Sequence, residues 1–278
     1  MIFAPQAAIL FPGFLQLGGL RLPVYGLFAA AGLIAALWLS QRTAQRVGLP
    51  SDKLWDAGVV AVIAAFAASR ALLVASDLPS FLKYPLLVLA LPSLTYGGML
   101  LTGLLVYAWL RRKRMPVLDV LDAWAPCGAL LAAVLSIAHF VEGTDAGMPT
   151  SLPWGVITPG DTVLGRVHPV EIYAAIASLA LCGFLMRMLR RLAFAGQVAA
   201  LALVIGGALA FLLDMLRQPT ESYGTALLDP GQIVALAAIL TGTLLSMYAH
   251  RNRHEVATEY LDQPNPRNEI SHAMEEVR

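Results

Sequence analysis

The sequence has few charged residues. Asp, Glu, Lys and Arg make up only 13% of its 278 residues, whereas 58% are apolar and the mean hydropathy is +0.69. Soluble domains usually carry about 25% charged residues, so this composition indicates an integral membrane protein of one domain. The formal net charge is only +1, and we expect no nucleic-acid partner.

Cysteine and N-terminal positive charge are also scarce. The two cysteines, Cys127 and Cys182, lie within apolar runs, which is typical of packing residues rather than of a disulfide or a metal site. The first basic residue is Arg21, so no positively charged stretch precedes an apolar core as it does in a secretory signal. We therefore expect no cleaved signal in this sequence.

Long apolar runs, by contrast, are frequent. Seven of them approach or exceed the roughly 20 helical residues that cross a bilayer, at residues 23–41, 55–76, 84–110, 117–141, 169–189, 197–216 and 228–249. The third contains Pro92 and Gly97-Gly98, which predicts a broken or re-entrant element. The sequence therefore predicts an all-α polytopic membrane protein, with about seven transmembrane helices around a cavity that opens to the outer leaflet.

Basic residues predict the orientation of these spans. They follow spans one, three, five and seven, as in Arg42, Arg111 and Arg187, and are fewer in the opposite loops. Cytoplasmic loops carry the excess of Lys and Arg, so the N-terminus is predicted outside and the C-terminus in the cytoplasm. We expect an apolar N-terminal segment at the membrane surface, a membrane domain with an outer loop, and a polar cytoplasmic tail. These three parts cover residues 1–20, 21–250 (with the loop at 142–168) and 251–278.

Ionisable residues near the spans mark a candidate site, because charge is costly at membrane depth. Arg70 lies inside the second span and needs an anionic or carbonyl partner, either a helix aspartate or a phosphate. Asp214 and Arg217 end the sixth span three residues apart, so they could pair with each other, or Arg217 could contact a lipid phosphate. Most of these groups fall near the outer face, where we expect the site to open.

Two His-x-x-Glu pairs flank the outer loop. His139 and Glu142 end the fourth span, and His168 and Glu171 begin the fifth. On a helix this spacing places both side chains of a pair on one face. A histidine with a carboxylate could act as a general base, two such pairs could hold a metal, or all four residues could simply be solvated at the interface.

Smaller signals complete the pattern. Gly97 and Gly98 permit close approach of a neighbouring helix or a ligand. Tyr25, at the outer end of the first span, is typical of an interfacial anchor. Asp119 and Asp122 begin the fourth span, where the dipole of that helix favours acidic residues.

The order and spacing of these motifs resemble the prolipoprotein diacylglyceryl transferase family of bacterial inner membranes. The resemblance covers roughly residues 20–250. The motifs that carry it are Tyr25-Gly26-Leu27, Ser69-Arg70, Tyr96-Gly97-Gly98, Asp122-Ala123-Trp124-Ala125-Pro126, Pro153-Trp154-Gly155, His168-Pro169-Val170-Glu171-Ile172-Tyr173, Arg217-Gln218-Pro219 and Gly231-Gln232-Ile233.

The resemblance implies a specific reaction. The family transfers the diacylglyceryl group of phosphatidylglycerol to the thiol of a lipobox cysteine in a secreted precursor, and it releases glycerol phosphate. It uses no metal or soluble cofactor. Such a displacement needs a base for the thiol and cations for the leaving phosphate. The implied location is the bacterial inner membrane, as a multi-pass protein whose site faces the periplasm.

Several family positions are changed in this chain. Tyr96 occupies the position of a family histidine, whereas Ser136 and Ala210 occupy the positions of two arginines. His139 and Glu142 occupy the positions of two asparagines. The family residues that are retained are Arg70, His168 and Arg217.

These changes predict an enzyme of this family with altered chemistry or an altered acceptor. It would act on a phospholipid or lipid-like substrate, with a lipobox precursor or another thiol or small acceptor. Tyr96 would donate a hydrogen bond, because an unperturbed tyrosine titrates near about 10. The alternatives are a non-catalytic protein that binds lipid or lipoprotein, and a metal-dependent enzyme that uses both His-x-x-Glu pairs. The candidate catalytic residues are His139, His168, Glu142, Glu171 and Tyr96, and the candidate substrate-binding residues are Tyr25, Arg70, Gly97, Gly98 and Arg217.

Overall fold

The computed structural model describes residues 14–17, 20–84, 96–143, 147–157, 165–218 and 228–261. Within these ranges the chain is mostly helical. The helices are α1 (Val24–Arg46), α2 (Ser51–Ser76), α3 (Leu78–Lys83), α4 (Tyr96–Arg112), α5 (Val117–Glu142), α6 (Val170–Met188), α7 (Gln197–Asp214) and α8 (Pro230–Leu261).

Two short antiparallel hairpins accompany the helices. Strand β1 (Phe14–Leu17) pairs with β2 (Leu20–Pro23), which leads directly into α1. Strand β3 (Val156–Ile157) pairs with β4 (Arg166–Val167) in the loop between α5 and α6. The segments expected at the membrane surface and in the outer loop therefore both contain strands.

Six helices in the described residues are long and apolar enough to cross a membrane. They are α1, α2, α5, α6 together with the 3₁₀ turn Leu189–Arg191 that follows it, α7, and the part of α8 from Pro230 to Arg251. The predicted all-α polytopic membrane fold is thus confirmed. The predicted third span coincides in part with α4, which has 17 residues, and residues 85–95 of that span lie outside the described residues. Helix α8 continues to Leu261, inside the segment predicted as a polar tail.

Helix α5 occupies a central position. It packs against α1, α6 and α7, while α2 packs against α1 and α4, and α7 packs against α8. Buried apolar residues from α1, α2, α4 and α5 form one core, which includes Leu54, Leu110 and Val120. A second core joins α5, α6 and α7 around Leu185 and Val198. Both cysteines are buried, in line with the packing role predicted for them.

The two ends of the bundle differ in character. The end where α1, α4 and α6 finish carries Arg42, Arg111 and Arg187, and we call it the basic end. The end where α5 finishes and α6 begins carries the loop with β3 and β4, and we call it the loop end. At the basic end, Nη1 of Arg46 donates a hydrogen bond to the carbonyl oxygen of Met186 at 3.2 Å. This end is the one that the sequence predicts to face the cytoplasm.

Asp122 caps a different helix from the one predicted. Its two carboxylate oxygens accept hydrogen bonds from the backbone N–H groups of Gly196 and Ala199, each at 2.7 Å. Residue Gly196 is the N-cap of α7 and has φ +90°, a conformation that favours glycine. Because this face of α5 is buried against α7, the Asp122 carboxylate caps the N-terminus of α7 and does not interact with the dipole of its own helix.

Candidate functional site

An ion cluster at the loop end joins α6 and α7. Nη2 of Arg217 lies 2.5 Å from Oε1 of Glu171, and its Nη1 lies 3.8 Å from Oδ1 of Asp214. The Glu171 side chain is only 4% exposed, whereas that of Arg217 is 36% exposed. The His-x-x-Glu spacing suggested Glu171 as a partner of His168, but in the structure its carboxylate pairs with Arg217. The pairing of Asp214 with Arg217, one of the two alternatives, is present.

Hydrogen bonds between the outer loop and the two neighbours of Arg217 hold this residue in place. The N–H of Met148 donates to the carbonyl oxygen of Leu216 at 2.8 Å, and Nε2 of Gln218 donates to that of Gly147 at 3.2 Å. A Cβ atom at Gly147 would overlap the carbonyl oxygen of His168, so only glycine fits there. This loop therefore brings the start of α6 and the end of α7 to one place.

His168 lies beside this cluster, at the start of α6. Its backbone N–H donates to the carbonyl oxygen of Met148 at 3.0 Å, and its ring lies edge-on to Tyr173 with centroids 6.2 Å apart. The Tyr173 hydroxyl accepts a hydrogen bond from Nε1 of Trp154 at 2.8 Å. Nδ1 of His168 is buried and has no hydrogen-bond partner among the described residues. That nitrogen is chemically available to a ligand or to a proton.

The other His-x-x-Glu pair lies in the last turn of α5. Gly143, with φ +73°, ends this helix and donates its N–H to the carbonyl oxygen of His139 at 3.0 Å. The His139 ring packs against Tyr25 with centroids 4.9 Å apart and planes tilted by 54°. Glu142 is exposed. His139 and Tyr25, two of the predicted site residues, are therefore neighbours.

Arg70 and the two glycines lie where α2 meets α4. A Cβ atom at Gly98 would be 3.0 Å from Cα of Ser69, so this glycine allows close approach of the two helices, one of the two predicted roles. Nη1 of Arg70 is buried and lacks a hydrogen-bond partner among the residues that the structure describes. Gly97 follows Tyr96 in the first turn of α4, and the Tyr96 side chain lies outside the described part of the chain.

A cavity of about 600 Å³ lies between α5, α6, α7 and α8. It runs along α7 from Ala199 to Asp214, a length of roughly 22 Å at 1.5 Å per helical residue. Small and apolar side chains line most of it, whereas Ser136, Asp214 and Arg217 line its loop end. The shape suits an aliphatic chain below a polar head group.

This cavity involves four helices rather than the whole set that the sequence predicted. Helix α1 packs directly on α5 because Gly32 allows the side chain of Val134 to approach closely, with only 3.0 Å to a Cβ at that glycine. Gly58 similarly allows Leu37 to pack between α1 and α2. These contacts fill the space on that side of α5.

The two positions at which the resemblance implies family arginines, Ser136 and Ala210, both line the cavity. Ser136 lies on α5 and Ala210 on α7, at the same end as Arg217. Within the described lining, Arg217 is the one basic residue. The sequence singled out both positions by resemblance, but their shared cavity became evident only from the structure, because nothing in the local sequence links α5 to α7.

The described residues include no group of three or more His, Cys, Asp or Glu side chains arranged to hold a metal ion. The two His-x-x-Glu pairs, which lie in this part of the chain, are thus not brought together as a ligand set. His139 contacts Tyr25, and Glu171 contacts Arg217. The metal-dependent alternative consequently has no geometric support in these residues.

These features define a polytopic membrane protein with an elongated apolar cavity and an ion cluster at one end. Comparison with known families goes further. The family model described as prolipoprotein diacylglyceryl transferase matches residues 12–248, and the chain belongs to this family. The resemblance inferred from the motifs is therefore confirmed.

Curated relatives agree with this assignment. A protein of Cupriavidus metallidurans is 30% identical over 261 residues, which cover 86% of this chain and 93% of the relative. A Geobacter sulfurreducens protein is 29% identical over 252 residues, covering 87% and 96%, and a Clostridium tetani protein is 27% identical over 236 residues, covering 83% and 94%. All three are named phosphatidylglycerol–prolipoprotein diacylglyceryl transferase.

Proposed function

We propose that this protein is a membrane transferase that takes a diacylglyceryl or related group from a phospholipid or lipid-like donor, with chemistry or an acceptor that differs from the family's usual reaction. Membership of the family supports the transferase class. The names of its relatives suggest phosphatidylglycerol and a prolipoprotein as the reference substrates. The elongated cavity supports a lipid as the donor.

The composition of the cavity's loop end supports the altered chemistry. Ser136 and Ala210 line it where the family has arginines, and the guanidinium of Arg217 is engaged by two carboxylates. In the reference reaction a thiolate sulfur bonds to a glycerol carbon, and the carbon–oxygen bond to phosphate breaks with the electron pair on the phosphate oxygen. A hydrogen bond to a charged group contributes about 1.5–3 kcal/mol. The absence of two such contacts lowers the rate of that reaction by a factor on the order of 10² to 10⁴.

His168 is our candidate for proton transfer. Its Nδ1 is buried without a hydrogen-bond partner in the described residues, and its backbone lies against Gly147, next to the ion cluster. Glu171 acts on Arg217 instead of orienting this imidazole. His139, packed on Tyr25, forms a second candidate centre, with Glu142 and Tyr96 as further catalytic candidates. Proposed substrate contacts are Tyr25, Arg70, Gly97, Gly98 and Arg217.

A non-catalytic role in binding lipid or lipoprotein is the second candidate function. It is favoured by the pairing of the Arg217 guanidinium with two carboxylates, because a cation that is already paired stabilises a leaving phosphate poorly. The cavity would then bind a lipid without turnover.

The localisation that we propose is the bacterial inner membrane, with the loop end facing the periplasm. Six apolar helices support a multi-pass membrane protein. The accumulation of arginines at the opposite end supports the orientation.

A transfer assay separates these functions. The purified full-length chain is incubated with phosphatidylglycerol, other membrane lipids and a lipobox peptide, and the peptide mass is measured. We expect the unchanged chain to transfer a lipid group to the peptide or to another thiol. His168→Ala should lower the transfer rate at least about 100-fold, within the usual range for general acid–base catalysis. His250→Gln, on α8 near the basic end, is the matched control and should retain activity. If no lipid and no thiol gives product with folded protein, the transferase proposal fails and the binding role stands.

A further inference from the structure

The charges at the cavity's loop end do not suit an anionic ligand. One guanidinium, that of Arg217, faces the carboxylates of Glu171 and Asp214. A phosphate that approached Arg217 would compete with both carboxylates and would bring a further negative charge beside them. In a low-dielectric cavity, such like-charge approaches are unfavourable.

Among the described residues that line the cavity, no second basic side chain accompanies Arg217. The remaining basic residues toward the loop end are carried by β2, α2, α3 and β4, which contribute nothing to the described cavity lining; they are Arg21, Arg70, Lys83 and Arg166. The segments before residue 252 that lie outside the described ranges contain no Lys or Arg in their sequence, although they contain Asp145, Asp161 and Glu221.

Two atoms of the ion cluster are buried without hydrogen-bond partners among the described residues. Nε of Arg217 is a donor, and Oδ2 of Asp214 is an acceptor. Both residues line the cavity. Buried polar atoms are normally satisfied, so these two point to a ligand group that accepts a hydrogen bond from one and donates to the other.

From these observations we propose that the cavity selects a glycerolipid whose head group carries no net charge and donates hydrogen bonds. A head-group oxygen would accept from Nε of Arg217, and a hydroxyl or ammonium group would donate to Oδ2 of Asp214. The acyl chains would lie along the apolar part of the cavity, between α5, α6, α7 and α8. This inference rests on the proposed function in that it names the lipid class of the same cavity.

Three lipids with identical dioleoyl chains isolate the two requirements. Phosphatidylethanolamine is net neutral and has donors, phosphatidylcholine is net neutral without donors, and phosphatidylglycerol is anionic with donors. Each is titrated into the full-length protein in detergent micelles, and binding is measured by native mass spectrometry. We expect phosphatidylethanolamine to bind at least tenfold more tightly than either of the others. Equal or tighter binding of phosphatidylglycerol overturns the charge requirement, and equal binding of phosphatidylcholine overturns the donor requirement; either result overturns the proposal.

Variants test whether the preference for phosphatidylethanolamine arises at this cavity. Asp214→Asn removes one negative charge at nearly constant shape, so we expect the preference for phosphatidylethanolamine over phosphatidylglycerol to fall at least tenfold. Asp56→Asn, the same change at an exposed position of α2, should leave it unaltered. Ala210→Arg should shift the preference in the same direction as Asp214→Asn, whereas Ala210→Gln, which is long and polar but uncharged, should not. An unchanged preference in folded Asp214→Asn overturns the proposal.

The lipid preference and the transferase function would be contradicted by different results. Preference for phosphatidylethanolamine without transfer to any thiol leaves the inference standing and removes the transferase. Transfer with phosphatidylglycerol as the tightest-binding donor leaves the transferase standing and removes the inference.

Discussion

The guanidinium of Arg217 forms ion pairs with Glu171 through Nη2 and with Asp214 through Nη1. This pairing gives Arg217, predicted as a substrate contact, a structural role between α6 and α7. An arginine paired with two carboxylates stabilises the fold and is also a candidate ligand contact. Its consequences are measurable in stability and in lipid preference.

Removal of Arg217 should destabilise the protein. In Arg217→Met, the carboxylate of Glu171, only 4% exposed, loses its partner. A buried charge without its partner costs about 3–5 kcal/mol, and we expect about 2 kcal/mol here because Arg217 itself is partly exposed. The measurement is thermal or denaturant unfolding in detergent.

A double variant provides the control. Arg217→Met combined with Glu171→Leu removes both charges and should recover part of the lost stability, which gives a coupling energy. Additive losses in the two single variants and the double variant would show that the pair contributes nothing to folding.

Several site residues could be predicted individually, but their partners could not. Sequence motifs singled out His139, His168, Glu171 and Arg217 because charged and polar groups are rare in this chain. The spacing that placed His168 and Glu171 on one helical face did not reveal that the Glu171 carboxylate would meet Arg217, 46 residues away. Contacts between distant helices depend on packing and not on periodicity.

At the scale of elements, α7 and α8 pack through glycines. A Cβ atom at Gly207 would lie 2.7 Å from the carbonyl oxygen of Ala235, and one at Gly242 would lie 2.8 Å from that of Ala200. Membrane helices commonly approach through such small residues. The apolar runs predicted both helices well, but not that these glycines would form their contact.

Gly207→Ala should weaken this pair of helices. The added methyl group meets backbone atoms that cannot move alone, so we expect a loss of about 1–3 kcal/mol in unfolding free energy. Gly183→Ala on α6 is the control, because a Cβ atom there meets nothing within 4 Å. It should be neutral or slightly stabilising, since alanine favours helix. Equal melting temperatures for the two variants would contradict the packing described.

The Asp122 carboxylate ties α5 to the beginning of α7. Asp122→Ala leaves two buried N–H groups, those of Gly196 and Ala199, without their acceptor, and should cost about 2–3 kcal/mol. Asp119→Ala, in the first turn of the same helix, should cost less than about 1 kcal/mol because it contributes only a helix-dipole interaction. Unfolding in detergent compares them, and equal losses would contradict the cross-helix cap.

At the scale of the whole molecule, the distribution of arginines predicts the orientation. Ser151→Cys in the outer loop and Lys113→Cys at the basic end both replace exposed residues, and the native cysteines are buried. A membrane-impermeant maleimide added to intact cells should label Ser151→Cys and leave Lys113→Cys unlabelled, with the unchanged chain as background. The reverse pattern would invert the membrane topology.

The class of fold followed from composition, since a sequence that is 58% apolar and contains long apolar runs has few alternatives to a helical membrane bundle. The position of the cavity did not follow. It depends on where small residues leave space between α5, α6, α7 and α8 and where Gly32 and Gly58 close it elsewhere. From the sequence alone, small residues that leave space for a cavity look the same as small residues that allow two helices to pack closely.

The central proposal is that this transferase scaffold lacks, at Ser136 and Ala210, cations that would serve an anionic donor. The most direct measurement is kcat/KM for phosphatidylglycerol and a lipobox peptide, for this protein beside a family member that carries both arginines. Two absent charge-assisted contacts predict a value lower by at least about 100-fold for this protein. Equal values for the two proteins would contradict the account.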